Sequence, residues 1–250
     1  MAALLPNVDP NGLLEFSVVF TDRSLNHMST DFQAVMCDIS KMLTAVYSTD
    51  TCAIVPGGGT FAMESVAREF ASDKKVMVLR NGWFSFRWSQ IFETGDIPSE
   101  VIILKAKRLG SHTQSAFRPL PIEDVIANII QEKPEVFFAP HVETSSGIML
   151  PDDYIQSIAE AVHSVGGIFV LDCIASGCIW VDMKKTGVDV LISAPQKGWS
   201  ASPCAGLVMM NNYARSKLEN TKNSSFALSL KTWVGIMDSY TNGGHAYHGT

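Results

Sequence analysis

A chain of 250 residues that is 46% hydrophobic and 18% charged can bury a sizeable core, which excludes a disordered segment and allows one large domain or two small ones. Its formal net charge of -6, with Lys and Arg scattered along the chain, leaves no basic stripe for phosphate neutralisation, so nucleic acid is not an expected partner. Five cysteines without a C-x-x-C pair signal neither a disulfide framework nor a metal site, and no apolar run reaches the roughly 18–20 residues of a membrane span; a cytoplasmic protein acting on small molecules is expected, with no membrane partner.

After an irregular opening, Phe32, Val35, Met36, Ile39, Leu43 and Val46 recur at three- and four-residue spacing and predict a helix over 30–47. Seven short runs rich in Val, Ile and Leu follow, at 52–55, 75–79, 101–104, 136–138, 168–171, 188–192 and 206–210, and read as buried strands. Amphipathic helices lie between them. Met63, Val66, Ala67 and Phe70 form one apolar face, Ile122, Val125, Ile126, Ile129 and Ile130 a second, and Ile155, Ile158, Ala159 and Val162 a third. Pro121 and Pro151 suit the first turn of their helices, and Asp152 and Asp153 suit its dipole. The alternation predicts an α/β fold with a mostly parallel, seven-stranded sheet flanked by helices. Residues 1–30 are set apart as an N-terminal segment, and 31–250 as one large domain. The ending Gly243-Gly244-His245-Ala246-Tyr247-His248-Gly249-Thr250 contains no closing element and reads as a truncation.

In an open α/β sheet, ligands sit beyond the carboxyl ends of the strands, so the strand-to-helix junctions are where chemistry is sought. Pro56-Gly57-Gly58-Gly59-Thr60 joins a strand to a helix; glycines let the backbone approach an anion, and the helix N-terminus favours negative charge. A plain helix-starting turn has the same composition, and Gly57, Gly59 and Ala62 also satisfy a dinucleotide-binding pattern. The following strand, however, ends at Arg80-Asn81-Gly82, without the acidic residue a ribose would need. Asp172 directly follows an apolar strand, where a carboxylate needs a partner to offset desolvation. A protonated pyridine nitrogen is one such partner; a turn or cap role is the alternative. Lys197, preceded by Gln196, also lies just past a strand, where partial desolvation would ease its deprotonation and let it attack an aldehyde, although surface lysines often follow strands. The turn His141-Val142-Glu143-Thr144-Ser145-Ser146-Gly147 gathers hydroxyls suited to a polar ligand, or is an ordinary serine and threonine loop with a structural His141.

A glycine turn at a helix start, an aspartate after a later strand and a lysine beyond it, in that order, resemble the pyridoxal-phosphate enzymes of fold type I, specifically the class V aminotransferases. The pair Gln196-Lys197 resembles the alanine-glyoxylate and serine-pyruvate branch. The resemblance implies pyridoxal 5'-phosphate as cofactor, Lys197 as the catalytic lysine that holds it, and Asp172 as the partner of its ring nitrogen. It further implies Gly58, Gly59, Thr60 and Gln196 at the phosphate, Phe84 (or its neighbour Trp83) stacked on the ring, and Thr144 in contact with it. Tyr247 and Thr250 look like the family's residues that reach the neighbouring subunit's cofactor, which implies a homodimer with shared sites. The implied activity is a transaminase moving an amino group from a small amino acid, alanine or serine, to a 2-oxo acid such as glyoxylate or pyruvate. A lyase or cysteine desulfurase on the same cofactor, a dinucleotide-binding module and a non-catalytic fragment are the competing readings. Two departures from the family pattern are Ala194-Pro195 where Gly-Ser is usual, and Val19 to His27 in place of the usual opening glycine-proline segment. The family's C-terminal small domain, with its arginine for the substrate carboxylate, is expected to lie beyond this chain.

Overall fold

The computed structural model describes residues 27–244. The first predicted helix forms over Thr30–Tyr47 (α1), where the Ser29 side chain accepts from the Phe32 amide and Ser48 closes the last turn in the left-handed conformation. Strands Thr51–Pro56 (β1), Lys75–Arg80 (β2), Glu100–Lys105 (β3), Val136–Pro140 (β4), Ile168–Asp172 (β5), Val190–Ser193 (β6) and Ala205–Met210 (β7) join in one sheet, in the order β1-β7-β6-β5-β4-β2-β3. All seven runs read from the sequence are strands of that sheet. Neighbours from β3 through β6 pair in parallel, and only β7 runs antiparallel to β6 and β1. The reversal has a local cause: the link from β6 to β7 contains turns but no crossover helix, and a parallel pair would need one.

Helices Gly59–Phe70 (α2), Phe86–Gly95 (α3), Ile122–Glu132 (α4), Asp152–Ser164 (α5), Met183–Thr186 (α6), Asn212–Lys217 (α7) and Leu230–Thr241 (α8) complete the main elements. Alternation along each strand divides the core in two. Val76, Val78, Val136, Phe138, Ile168 and Val170 pack with the faces of α2, α3 and α8, whereas Met77, Leu79, Phe137, Ala139, Phe169 and Leu171 pack with α1, α4 and α5. A strand buried on both faces must be apolar at nearly every position, which is why these runs do not alternate in hydrophobicity.

Two expectations are corrected, and one feature was not foreseen. Ile130 is 46% exposed, because the face that α4 buries centres on Val125 and Ile129. Pro121 and Pro151 precede their helices as the capping residues and do not enter the first turn, while Asp152 and Asp153 do occupy it. Two short hairpins, Lys107–Arg108 with Phe117–Arg118 and Val142–Glu143 with Ile148–Met149, had no signal in the hydrophobic pattern. No helix among the described residues is long and apolar enough to cross a membrane.

Candidate active site

Six strands point the same way, so their carboxyl ends share one edge of the sheet, and the turns leaving that edge enclose a cleft of about 180 Å³. Gly59, Thr60, Phe84, Thr144, Asp172, Gln196 and Lys197 all line it. They come from five different turns, brought together by strand order. Tyr247 and Thr250 lie outside the described residues.

At one end, Gly58 caps α2 without a side-chain hydrogen bond, so the first-turn amides remain open to an anion. Gly59 lets Ile174 pack closely: a Cβ there would lie 2.7 Å from Cδ1 of Ile174 and would displace that side chain. Arg87 Nη1 donates to Thr60 Oγ1 at 2.9 Å and adds positive charge to the same end. Gln196 faces the cleft from the turn after β6, with its Oε1 buried and without a hydrogen-bond partner.

At the floor, Asp172 ends β5 as a buried carboxylate. Its Oδ1 accepts one bond, from the Ile174 amide at 2.9 Å. Burial pushes its pKa up to about 6; Glu143 adds to the rise, and the Ile174 amide and Arg87 oppose it. The site is therefore built around a carboxylate that lacks sufficient positive charge of its own. His141, one residue beyond β4, is also buried, with Nδ1 2.7 Å from Ser176 Oγ, and burial lowers its pKa so that the ring is neutral. It supports the floor and does not line the cleft.

Lys197 occupies the turn that leaves β6, at the open side of the cleft, and its side chain is exposed. Partial desolvation was expected of this lysine; the structure leaves Lys197 exposed and buries Asp172. Phe84 is 40% exposed and forms a wall.

Two participants had not been singled out. Arg87 belongs to the same segment as Phe84, three residues on, and one turn of helix brings it back to the cleft. Glu143 lies beside Thr144 and is completely buried. Its signal was present, a carboxylate among hydroxyl residues directly after a buried strand, but only the fold reveals what it holds.

A mostly parallel sheet with a lysine, a buried aspartate and a glycine turn at a helix start converging at its carboxyl edge defines an α/β protein with a cleft suited to an anionic ligand. The chain belongs to the aminotransferase class-V family, whose sequence model matches residues 20–240. Alanine--glyoxylate aminotransferase 1 of Saccharomyces cerevisiae is 25% identical over 91% of this chain and 60% of its own length. The 2-aminoethylphosphonate--pyruvate transaminase of Syntrophobacter fumaroxidans is 29% identical over 86% of this chain and 55% of its own. Among solved structures, the alanine--glyoxylate aminotransferase of Nostoc sp. superposes with a TM-score of 0.77 at 24% identity, over 91% of this chain and 58% of that one. The chain thus spans about half the length of the curated relatives it matches.

Family membership implies pyridoxal 5'-phosphate, and the residues fit it: an open helix N-terminus for the phosphate, an undercompensated carboxylate for a protonated ring nitrogen, and an unpaired Gln196 oxygen in the wall.

Proposed function

We propose that residues 31–250 form the cofactor-binding large domain of a cytoplasmic, homodimeric transaminase, which passes an amino group from a small amino acid such as alanine or serine to a 2-oxo acid such as glyoxylate or pyruvate. The observation that carries this reading is the placing of Lys197, Asp172 and the Gly58–Thr60 turn around one cleft. The names of the relatives, alanine--glyoxylate and 2-aminoethylphosphonate--pyruvate transaminases, agree with it in reaction class.

When bound, the cofactor supplies an aldehyde that takes up amines and a protonated ring that withdraws electrons from the substrate carbon. Lys197 would hold the cofactor through its amine, and that amine is the group at this edge of the cleft that would move the proton at the substrate Cα. Asp172 keeps the ring nitrogen protonated, and the charge it meets there relieves its own burial. Gly58, Gly59, Thr60 and Gln196 receive the phosphate, with Arg87 orienting the Thr60 hydroxyl. Phe84 would stack on the ring, a contact worth about 0.5–1.5 kcal/mol beyond area burial, and Thr144, which lines the same cleft, would contact the cofactor.

A wholly apolar hollow of about 280 Å³, lined by residues including Ile39, Met42, Ile54, Trp199 and Leu207, adjoins the Lys197 turn and suits a second copy of the chain. Tyr247 and Thr250 would then complete the neighbouring site. All five cysteines are free, which agrees with a reducing compartment. A desulfurase is less well supported. Cys173, beside Asp172, is buried with its thiol pKa pushed far up by burial and so held protonated, and no cysteine lines the cleft among the described residues.

The test is reconstitution with pyridoxal 5'-phosphate followed by hydride reduction. A pyridoxyl group should appear on the peptide containing Lys197 and be absent from Lys197→Ala; a colourless, unmodified wild-type protein overturns the reading. Transfer from alanine to glyoxylate is then assayed on this chain.

A further inference from the structure

Glu143 has no cationic partner among the described residues, yet it is completely buried and ionised. Burial alone would raise its pKa, but the hydrogen bonds it accepts from Ser145, Ser85 and the Ser85 and Phe84 amides outweigh burial and leave it below the usual carboxylate range. Its two oxygens divide their work. Oε1 accepts from the Phe84 amide at 3.1 Å and from Ser145, through the hydroxyl at 2.6 Å and the amide at 3.4 Å. Oε2 accepts from the Ser85 amide at 2.8 Å and the Ser85 hydroxyl at 2.7 Å. The Ser145 hydroxyl in turn accepts from the Trp83 amide at 2.8 Å. Gly82 admits the carboxylate against the backbone, since a Cβ there would lie 2.7 Å from Glu143 Cδ.

Every partner is a donor, so the position demands an acceptor-only group. A glutamine would turn an N–H toward either the Phe84 or the Ser85 amide, and a backbone N–H cannot rotate away. The carboxylate thereby ties the turn after β2, which carries Phe84, to the turn after β4, which carries Thr144, and both of these residues line the same cleft.

We propose that Glu143 is a positioning residue for the cofactor: by accepting from both turns at once it fixes Phe84 and Thr144 relative to one another, and so the affinity and orientation of the cofactor ring in the cleft they line. The proposal rests on the reading of this cleft as a pyridoxal 5'-phosphate site. Its charge also acts on Asp172, which favours a positive ring nitrogen there.

The experiment compares wild type, Glu143→Gln, Ser145→Ala and Ser85→Ala. Cofactor affinity is measured by titrating the apo-proteins with pyridoxal 5'-phosphate, ring orientation by circular dichroism in the cofactor's visible band, and loop closure by amide exchange of the 83–86 segment in the apo-proteins. Expected for Glu143→Gln are a dissociation constant raised by about tenfold or more (about 1.4 kcal/mol), a weakened visible dichroic signal and faster exchange at Phe84 and Ser85. If Glu143→Gln does not fold, the two serine variants, each removing one hydroxyl from the carboxylate, should show the same changes to a smaller extent. A purely structural role would lower the melting temperature and leave the affinity of the folded protein unchanged; that result, or unchanged exchange, overturns the proposal. A wild type that binds no cofactor overturns the reading of the cleft itself, whereas tight binding by wild type and variants alike overturns the positioning role alone.

Discussion

Asp172 and Ile192 are register partners on the adjacent parallel strands β5 and β6, so the carboxylate and the turn carrying Lys197 leave the sheet side by side at the same edge. The acid is buried and the lysine exposed, and the cleft opens between them. That pairing makes the electrostatics of Asp172 accessible to measurement.

In the apo-protein the folded pKa of Asp172 is raised from 3.8 to about 6. A raised folded pKa contributes stability that is fully present below the unfolded value and lost as pH rises through the folded one, so the buried charge penalises the apo-fold above about pH 6 by about 3 kcal/mol at most. Asp172→Asn keeps an acceptor for the Ile174 amide without the charge. Urea denaturation of apo-Asp172→Asn should give a stability about 1–3 kcal/mol above wild type at pH 8, with the gap closing toward pH 4, while the variant loses most of its affinity for pyridoxal 5'-phosphate.

Thr60 holds the hydroxyl that receives Arg87 Nη1 at 2.9 Å. Thr60→Val removes that hydroxyl at nearly constant shape. The affinity for pyridoxal 5'-phosphate should fall about 10-fold, as expected for one charge-assisted hydrogen bond, while the affinity for unphosphorylated pyridoxal should barely change. Equal losses for both ligands would place Thr60 away from the phosphate.

Asp189, 1% exposed, accepts from His163 Nε2 at 2.9 Å, from the Phe169 amide and from Asn211, and so ties α5 to the far end of the sheet. The bond to Asp189 raises the pKa of His163 and outweighs the opposing effect of burial. Stability from this pair is therefore fully present below about pH 6.5 and declines as pH rises through the higher folded value. Because the His163 side chain is 40% exposed, screening limits the effect. His163→Ala should cost about 0.5–1 kcal/mol at pH 6 and less at pH 9, measured by denaturation at the two pH values without cofactor.

Phe138 lies between Trp88 and Phe92, with ring centroids 4.5 and 5.2 Å away, and all three are buried. Phe138→Ala should destabilise by about 3–5 kcal/mol, seen as a lower denaturation midpoint with the same slope. It should also loosen α3, the helix on which Arg87 is carried.

The seven apolar runs, the helix over 30–47 and the chain order of glycine turn, aspartate and lysine were legible because burial on both faces of a sheet, helical periodicity and strand-end chemistry each leave a local signature. Asp172 was visible as a charge ending an apolar strand, but a turn or cap role fitted it equally until the glycine turn and Lys197 were set beside it. Glu143 did not, because a glutamate among serines and threonines reads as a surface turn until the β2 turn is packed over it. Arg87 was equally silent: its bond to Thr60 crosses from α3 to α2, between segments that the sequence does not relate. The exposure of Lys197 was misjudged for a similar reason, since solvent access depends on which turns fold over a position.

The sequence by itself determined which segments are buried strands and helices, and which residue types stand at the strand ends, since these follow from periodicity and composition along the chain. Only the tertiary structure decided that β7 runs against its neighbours, that five separate turns share one cleft, and that Asp172 is buried while Lys197 is exposed. Strand order and long-range hydrogen bonds set those outcomes, and both join residues far apart in the chain.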